Sequence, residues 1–276
     1  MLPELARLGF VVGRNLTMTT YAGLPARMPE LAREAIATKP DVVVAVSTVA
    51  ILAVKEASST VPIVMSFIGE DPIAKGLAVS LARPGGSTTG VAMMAAQLDG
   101  KRVSLLHEFV PAARRIAILT GHPPRHAEGA EEAQRVAREL GLETNVFYAD
   151  EPADYVVAFA SMNTARSEAL VIISAPDFFL NAALLSRLAL EAGLPTVCEW
   201  ASMARDGCLI GYGPNFAALW RRPAEYVARI LRGAKPGELP IEQPTVFEFA
   251  VNLKTAKALG LTIPESALQR ADEVFE

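Results

Sequence analysis

Hydroxyl and carboxylate side chains recur in this sequence directly after short apolar runs that are rich in β-branched residues. The runs at 42–46 and 61–67 are typical of strands buried on both faces of a parallel sheet. The residues that we assign to a ligand site in this part of the chain are Ser47, Thr48, Ser66, Phe67 and Asp71. Ligands of open α/β sheets bind beyond the carboxyl ends of the strands, so these residues are expected on one rim. A helix N-terminus there would present N–H groups and partial positive charge, which suit a carboxylate.

The same pattern returns in the second part of the chain. The candidate ligand residues there lie within or just after predicted strands: Gly121, His122, Asp177, Glu199, Trp200 and Tyr212. A carboxylate in such a place suits an ammonium group, with Asp177 as the first choice and Glu199 as the second. Trp200 and Tyr212 would supply an aromatic wall, and the loop of Gly121 and His122 would touch a ligand through backbone groups.

Structural roles compete with these binding roles. Ser47 and Asp177 are each suited to capping the helix that follows them. His122 and His126 flank two prolines and form a metal pair only if further ligands exist. No nucleophile with a general base and an orienting group can be assembled, and no phosphate-binding glycine loop follows a strand. We therefore predict a protein that is not an enzyme and has no cofactor and no metal.

The elements that must position these residues form two successive series of alternating strands and helices. A breaker-rich segment near 82–89 separates the two series. This order predicts an α/β fold with two doubly wound parallel-sheet lobes. The chain opens part-way into what reads as the first helix, so the first strand of lobe 1 is expected to be missing. A further short strand is predicted over 16–21.

Composition narrows the class of function. Hydrophobic residues make up 51% of the 276 residues and charged residues 20%, which is typical of a packed globular protein. The net charge of −4 argues against a general nucleic-acid binder, which usually carries a basic stripe. No apolar run approaches the roughly 20 residues that span a bilayer, and the first residues do not form a secretion signal.

The sequence contains two cysteines, Cys198 and Cys208. No CxxC motif or cysteine–histidine cluster accompanies them, so a zinc site is not expected. Two buried free thiols are the favoured interpretation. A disulfide is the alternative, and it would require an oxidising compartment.

Several long runs resemble the substrate-binding proteins of bacterial ABC transporters, in the group that includes tryptophan- and tyrosine-type binding proteins. The matching runs are LGFVVGRNL (8–16), DPIAKGLAVSLARPGGSTTGV (71–91), YGPNFAALWRR (212–222) and LPIEQPTVFEFAVNLKTAKALGLTIPESALQRADEV (239–274). The resemblance implies a type I periplasmic-binding fold, in which three crossing strands join two lobes that close on a small solute. It places the crossings near 88–91, 203–209 and 243–247. Lobe 1 would then comprise 1–89 and 207–243, and lobe 2 would comprise 90–206 and 244–276.

The resemblance also implies a function. It indicates the solute-binding component of an ABC importer, which captures an amino acid or an aromatic acid and works with a transporter permease. The implied location is the periplasm, and a monomer is expected. The alternatives are a non-exported paralogue, or a small-molecule-sensing or enzymatic domain on the same fold. Aromatic and aliphatic amino acids, aromatic acids and purine-like compounds all remain open as the solute.

Overall fold

The computed structural model describes residues 1–23, 25–123 and 126–276, with the backbone but not the side chains of Pro25 and Phe67. The described chain divides into two compact units. Unit 1 comprises Met1–Met94 and Asn215–Val246, and unit 2 comprises Ala95–Pro214 and Phe247–Glu276. In the parts that the structure describes, no helix combines the length and the apolar character needed to cross a membrane.

Unit 1 is built around a small parallel sheet. Its elements are α1 (Leu2–Arg7), a 3-10 turn (Pro25–Arg27), α2 (Met28–Ala37), β1 (Val43–Val46), α3 (Thr48–Ala57), β2 (Ile63–Ile68) and β3 (Thr88–Ala92), followed after unit 2 by α10 (Phe216–Leu231) and a second 3-10 turn (Pro236–Glu238). Within the described residues the sheet has the order β1-β2-β3, and both pairs of neighbouring strands are parallel. Strand β2 lies in the middle and is apolar except for Ser66, and its residues Ile63, Met65 and Ile68 are inaccessible to solvent. This accounts for the unbroken apolar run in the sequence.

Unit 2 contains the larger sheet. Its elements are α4 (Ala95–Phe109), β4 (Arg115–Thr120), α5 (Ala127–Glu139), β5 (Glu143–Tyr148), α6 (Pro152–Thr164), β6 (Ala169–Ile172), α7 (Pro176–Leu180), α8 (Ala182–Glu191), β7 (Thr196–Cys198), α9 (Ala201–Arg205) and β8 (Ile210–Pro214), then β9 (Phe247–Asn252), α11 (Leu253–Ala258), α12 (Glu265–Leu268) and β10 (Glu273–Phe275).

The described strands of unit 2 pair in the order β10-β9-β8-β7-β6-β4-β5. Strands β5, β4, β6, β7 and β8 are mutually parallel, whereas β9 is antiparallel to β8. The carboxyl ends of five strands therefore share one edge of this sheet, which we call the carboxyl edge of unit 2. The amino end of β9 reaches the same edge, because Phe247 pairs with Pro214.

The units differ in detail from the lobes predicted above. The chain passes between units after residues 94, 214 and 246, whereas the prediction places the boundaries after 89, 206 and 243. Residues 210–214 form β8 in the sheet of unit 2, although the prediction gave 207–243 to lobe 1. The short strand expected over 16–21 is wrong: Leu16 makes a single bridge to Val12, and no strand is described there. The expectation that a first strand is missing stays a prediction.

Candidate functional site

The backbone of Ser47 is strained at the point where β1 gives way to α3. Its φ is 80°, a left-handed value that residues with a side chain rarely adopt. Ser47 occupies the N-cap position of α3, yet its side chain makes no capping hydrogen bond within this fully described helix. Its N–H instead donates to the Ser66 carbonyl at 3.3 Å. The Ser47 hydroxyl is therefore not used to cap α3. Backbone strain of this kind is concentrated at functional sites, which makes Ser47 a candidate for ligand binding.

The neighbouring polar residues of unit 1 differ in how far they are engaged. Thr48 donates its hydroxyl to the Glu70 carboxylate, and Asp71 accepts the Ile73 N–H at 2.8 Å, which closes a local turn. The Ser66 side chain is fully buried, and its Oγ has no hydrogen-bond partner among the described residues. The side chain of Phe67, predicted as a ligand contact, lies outside the described residues.

In unit 2, the predicted ligand residues all lie at the carboxyl edge. Gly121 and His122 follow β4, Asp177 lies in the first turn of α7 after β6, and Glu199 follows β7. His122 bonds to Asp150 twice, through its N–H at 3.1 Å and through Nδ1 at 2.9 Å. Its ring also stacks on Tyr148, with 5.4 Å between the centroids. His122 is thus tied to the end of β5.

Aromatic rings lie where β7 and β8 reach this edge, away from the part formed by β4 and β5. Tyr212 stacks on Phe247 with centroids 5.9 Å apart and an interplanar angle of 9°. Trp200 is buried and meets Phe179 edge to face at 6.3 Å. Asp177 is half-buried, two residues before Phe179. The edge therefore combines flat apolar surfaces with carboxylates, the composition expected of a site for a small organic molecule.

A buried ionic network that the sequence reasoning missed lies directly behind these residues. Arg102 and Asp99, on α4, are 0% and 1% exposed, and Arg102 Nη1 donates to Asp99 Oδ1 at 2.6 Å. The same Nη1 donates to Ser174 Oγ at 2.7 Å, while Nε donates to the Tyr212 carbonyl at 2.8 Å and Nη2 to the Glu199 carbonyl at 3.2 Å. The Ser174 N–H and hydroxyl both donate to Asp99 Oδ1.

The network alters the ionisation of two carboxyl groups. Burial raises the pKa of Glu199 from 4.5 to about 7, the Asp99 charge adds to that rise, and the Arg102 guanidinium opposes it. Burial likewise raises the pKa of Asp99, against the effect of Arg102 and of the hydrogen bonds from Ser174. Glu199 is therefore a desolvated carboxyl group beside the aromatic rings, poised to ionise near neutral pH.

A sequence signal for this network exists. Asp99 and Arg102 are three residues apart on a helix and share its inner face with Val103 and Leu106. A charged pair at this spacing on an otherwise apolar face indicates a buried ion pair rather than a solvated one.

The prediction of two free thiols is wrong, because Cys198 and Cys208 are joined in a disulfide with their Cα atoms 6.4 Å apart. Cys198 ends β7, and Cys208 precedes β8. The bond thus closes the loop that begins with Glu199 and Trp200. Among the residues that the structure describes, no cluster of histidine, cysteine or carboxylate side chains could hold a metal ion.

Comparison with known proteins gives one family. Residues 5–275 match the sequence model of the family described as "ABC transporter substrate binding protein". A tyrosine-binding protein of Clostridioides difficile is 23% identical over 239 residues, which are 84% of this chain and 66% of that protein. The chain thus spans just under two thirds of the length of that relative.

Solved structures with the same fold cover almost the whole chain. A conserved domain protein of Vibrio cholerae has a TM-score of 0.88 at 26% identity, covering 99% of this chain and 92% of the other. An ABC domain in complex with L-Trp, from Streptococcus pneumonia, has a TM-score of 0.86 at 23% identity and the same two coverages. The chain accordingly has the type I periplasmic-binding fold.

Proposed function

This chain belongs to the ABC transporter substrate-binding protein family, and we propose that it captures an aromatic amino acid or an aromatic acid for an ABC importer. The observation that carries the choice of solute is the carboxyl edge of unit 2, where aromatic rings stand beside carboxylates. The relatives named for tyrosine and for a complex with L-Trp support the same class. Capture involves no chemical step.

The proposed contacts in unit 1 serve the carboxylate of the solute. Ser47 offers a hydroxyl that does not cap its own helix, at the N-terminus of 10 helical residues whose first N–H groups carry partial positive charge. The orphaned Ser66 Oγ lies on the neighbouring strand, and Ser47 and Ser66 already share a backbone hydrogen bond. Thr48 and Asp71 contribute less, since the Thr48 hydroxyl and one Asp71 oxygen are engaged. Phe67, the next residue of β2, is the remaining proposed contact of unit 1.

The proposed contacts in unit 2 serve the ammonium group and the ring. Asp177 is the first choice for the ammonium group, and Glu199 the second, because a buried carboxylate gains from a cationic partner. Trp200 and Tyr212 contact the ring through flat faces. Gly121 and His122 contribute backbone groups.

We further propose that the protein acts in the periplasm as a monomer and delivers its solute to a transporter permease. The disulfide between Cys198 and Cys208 supports this location, because such bonds persist in oxidising compartments.

A thermal-shift screen tests the proposed solute class. The panel contains L-tyrosine, L-tryptophan, L-leucine, 3,4-dihydroxybenzoic acid and adenine. A solute at 100 times its dissociation constant stabilises the folded state by about 2.7 kcal/mol, which a raised melting temperature reports. We expect a shift with at least one aromatic amino acid or acid. A shift with leucine or adenine alone, or no shift despite a cooperative melt, would contradict the assignment.

A paired substitution tests the contact in unit 1. Ser47→Ala removes the hydroxyl that does not cap α3. Ser58→Ala, at the other end of α3, is the matched control, because the Ser58 Oγ bonds to groups of the nearby Thr60 and Val61. We expect Ser47→Ala to weaken solute binding by about 1–3 kcal/mol, and Ser58→Ala to leave it unchanged. Equal affinities in the two variants would remove Ser47 from the site.

A further inference from the structure

The guanidinium of Arg102 is fully buried, yet stability gives little reason for its presence. Burying a guanidinium carries a desolvation penalty that pairing with a carboxylate often only offsets, and an apolar side chain of similar volume frequently does as well. Arg102 lies in the core of unit 2, and its guanidinium donates hydrogen bonds to four acceptors. The positions of these acceptors in the sheet of unit 2 indicate the role of the guanidinium.

Three of the four acceptors lie near the carboxyl ends of three different strands. Ser174 follows β6, Glu199 follows β7, and Tyr212 lies in β8. The pairing of β7 with β8 stops at Cys198 and Gly211. The next residue on each strand, Glu199 and Tyr212, gives its carbonyl to Arg102, which therefore connects the two strands beyond the point where their own hydrogen bonds end.

The backbone is packed closely around this connection. A Cβ at Gly213 would lie 2.1 Å from the Glu199 carbonyl oxygen and 3.5 Å from Arg102 Nη2. A Cβ at Gly129, on α5, would lie 2.4 Å from Asp99 Oδ2. Gly213 thus leaves the space that the Glu199 carbonyl occupies, and Gly129 leaves the space that the Asp99 carboxylate occupies, so two of the groups that bind Arg102 sit against backbone without a side chain.

Each strand end that Arg102 holds carries a proposed solute contact. Glu199 and Tyr212 are themselves proposed contacts, Trp200 follows Glu199, and Asp177 lies three residues after Ser174. We infer that Arg102 is the positioning residue of the carboxyl edge of unit 2: its planar fork sets the spacing of the strand ends that receive the solute. The inference rests on the proposed function for the role of that edge, while the geometry that it assigns to Arg102 is testable without a solute.

The test compares Arg102→Lys with Arg115→Lys. Lysine keeps the charge but has no fork, and one ammonium cannot reach two carbonyls, a hydroxyl and a carboxylate together. Arg115 is the matched control, because it also binds a backbone carbonyl and a carboxylate, those of Arg166 and Glu168, but at the amino end of β4. Both variants are checked for a folded state by circular dichroism.

The first measurement is backbone amide hydrogen exchange without solute. In Arg102→Lys we expect at least tenfold faster exchange confined to 174–178, 199–201 and 212–214, with residues 116–119 in the centre of β4 unchanged. A purely structural role would instead raise exchange throughout unit 2. Uniform acceleration, or no local change, would overturn the inference.

The second measurement is the affinity for L-tyrosine and L-tryptophan by titration calorimetry. We expect Arg102→Lys to lose at least tenfold in affinity for whichever of the two the parent binds, and Arg115→Lys to stay within twofold of the parent. Unchanged affinity in Arg102→Lys would overturn the inference even if exchange is faster. If the parent binds neither amino acid, the proposed solute is wrong, and the exchange pattern alone decides the inference.

A milder variant covers the possibility that Arg102→Lys does not fold. Ser174→Ala removes the hydroxyl that lies between Arg102 Nη1 and Asp99 Oδ1 and leaves their direct bond in place. We expect faster exchange at 174–178 and a loss of affinity of about threefold or more. A folded Ser174→Ala with parental exchange and parental affinity would overturn the inference.

Discussion

Replacing Glu199 with glutamine should change how the stability of unit 2 depends on pH. Burial raises the pKa of Glu199 to about 7 in the folded protein, whereas the unfolded chain has the ordinary value of 4.5. At a pH between these two pKa values, Glu199 is mostly ionised in the unfolded chain and mostly protonated in the folded protein. The carboxyl group of Glu199 therefore does not lower the free energy of unfolding below pH 4.5. It lowers that free energy progressively as the pH rises from 4.5 to 7, and by the full amount above pH 7. Glutamine has a similar shape and never ionises, so it avoids this penalty.

The size of the effect follows from the difference between the two pKa values. Each unit corresponds to 1.36 kcal/mol, so a rise from 4.5 to about 7 amounts to about 3 kcal/mol at pH 8. Glu199 is only 7% exposed, so solvent screens the effect little. We expect Glu199→Gln to equal the parent near pH 4.5 and to exceed it in free energy of unfolding by about 3 kcal/mol at pH 8.

The assay is equilibrium urea unfolding at several pH values, followed by tryptophan fluorescence. The sequence contains two tryptophans, and a Trp220→Phe background leaves Trp200, in unit 2, as the reporter. Glu168→Gln is a control whose effect on stability should depend on pH in the opposite direction. Hydrogen bonds from the Arg114 and Arg115 N–H groups lower the pKa of Glu168, so the stability that the Glu168 carboxylate contributes is lost as the pH falls. The reasoning is refuted if the difference between Glu199→Gln and the parent does not change from pH 4.5 to 8.

Three further sets of substitutions test the packing of unit 2. Replacing Cys198 and Cys208 together by serine should lower the free energy of unfolding by about 2–3 kcal/mol, because the disulfide closes a loop of 10 residues. Dithiothreitol should destabilise the parent but have no further effect on this variant. A parent whose stability does not change with dithiothreitol would argue against the bond. Gly213→Ala should destabilise the fold by several kcal/mol, because its Cβ would lie 2.1 Å from a carbonyl oxygen. Gly86→Ala is the control and should be nearly neutral, because no atom lies within 4 Å of the Cβ that it adds. Equal melting temperatures of the two variants would refute this prediction. Asn252→Ala should cost about 1–3 kcal/mol, because the side chain caps α11 and also donates to a buried carbonyl at 2.7 Å, while aspartate should restore the cap alone.

The sequence predicts the alternation of strands and helices well, because buried parallel strands leave continuous apolar runs. The run that forms β2 is an example, and its central position in the sheet explains why Ser66 is the one polar residue there. The long motifs also identify the family. The strand expected over 16–21 could not be judged in this way, since a short alternating segment becomes a strand only where a neighbour pairs with it.

The interior of the site was harder to predict. The spacing of Asp99 and Arg102 on one apolar helix face signals a buried ion pair, but it does not reveal that Arg102 also meets carbonyls more than 90 residues away in sequence. The disulfide depends on the distance between two Cα atoms, which the spacing of Cys198 and Cys208 alone does not give. The absence of a capping bond from the Ser47 hydroxyl likewise accompanies an unusual backbone angle, which the sequence does not show, because a serine before a helix normally caps it.

Titration calorimetry of the parent and of two variants tests the central claim most directly. The parent is titrated with L-tyrosine and L-tryptophan at pH 7, beside Ser47→Ala from unit 1 and Asp177→Ala from unit 2. The account predicts saturable binding of one molecule of at least one of these amino acids per chain, weakened about 5- to 150-fold in each variant, which corresponds to about 1–3 kcal/mol. A folded parent that binds neither amino acid, or variants that bind as tightly as the parent, would contradict it.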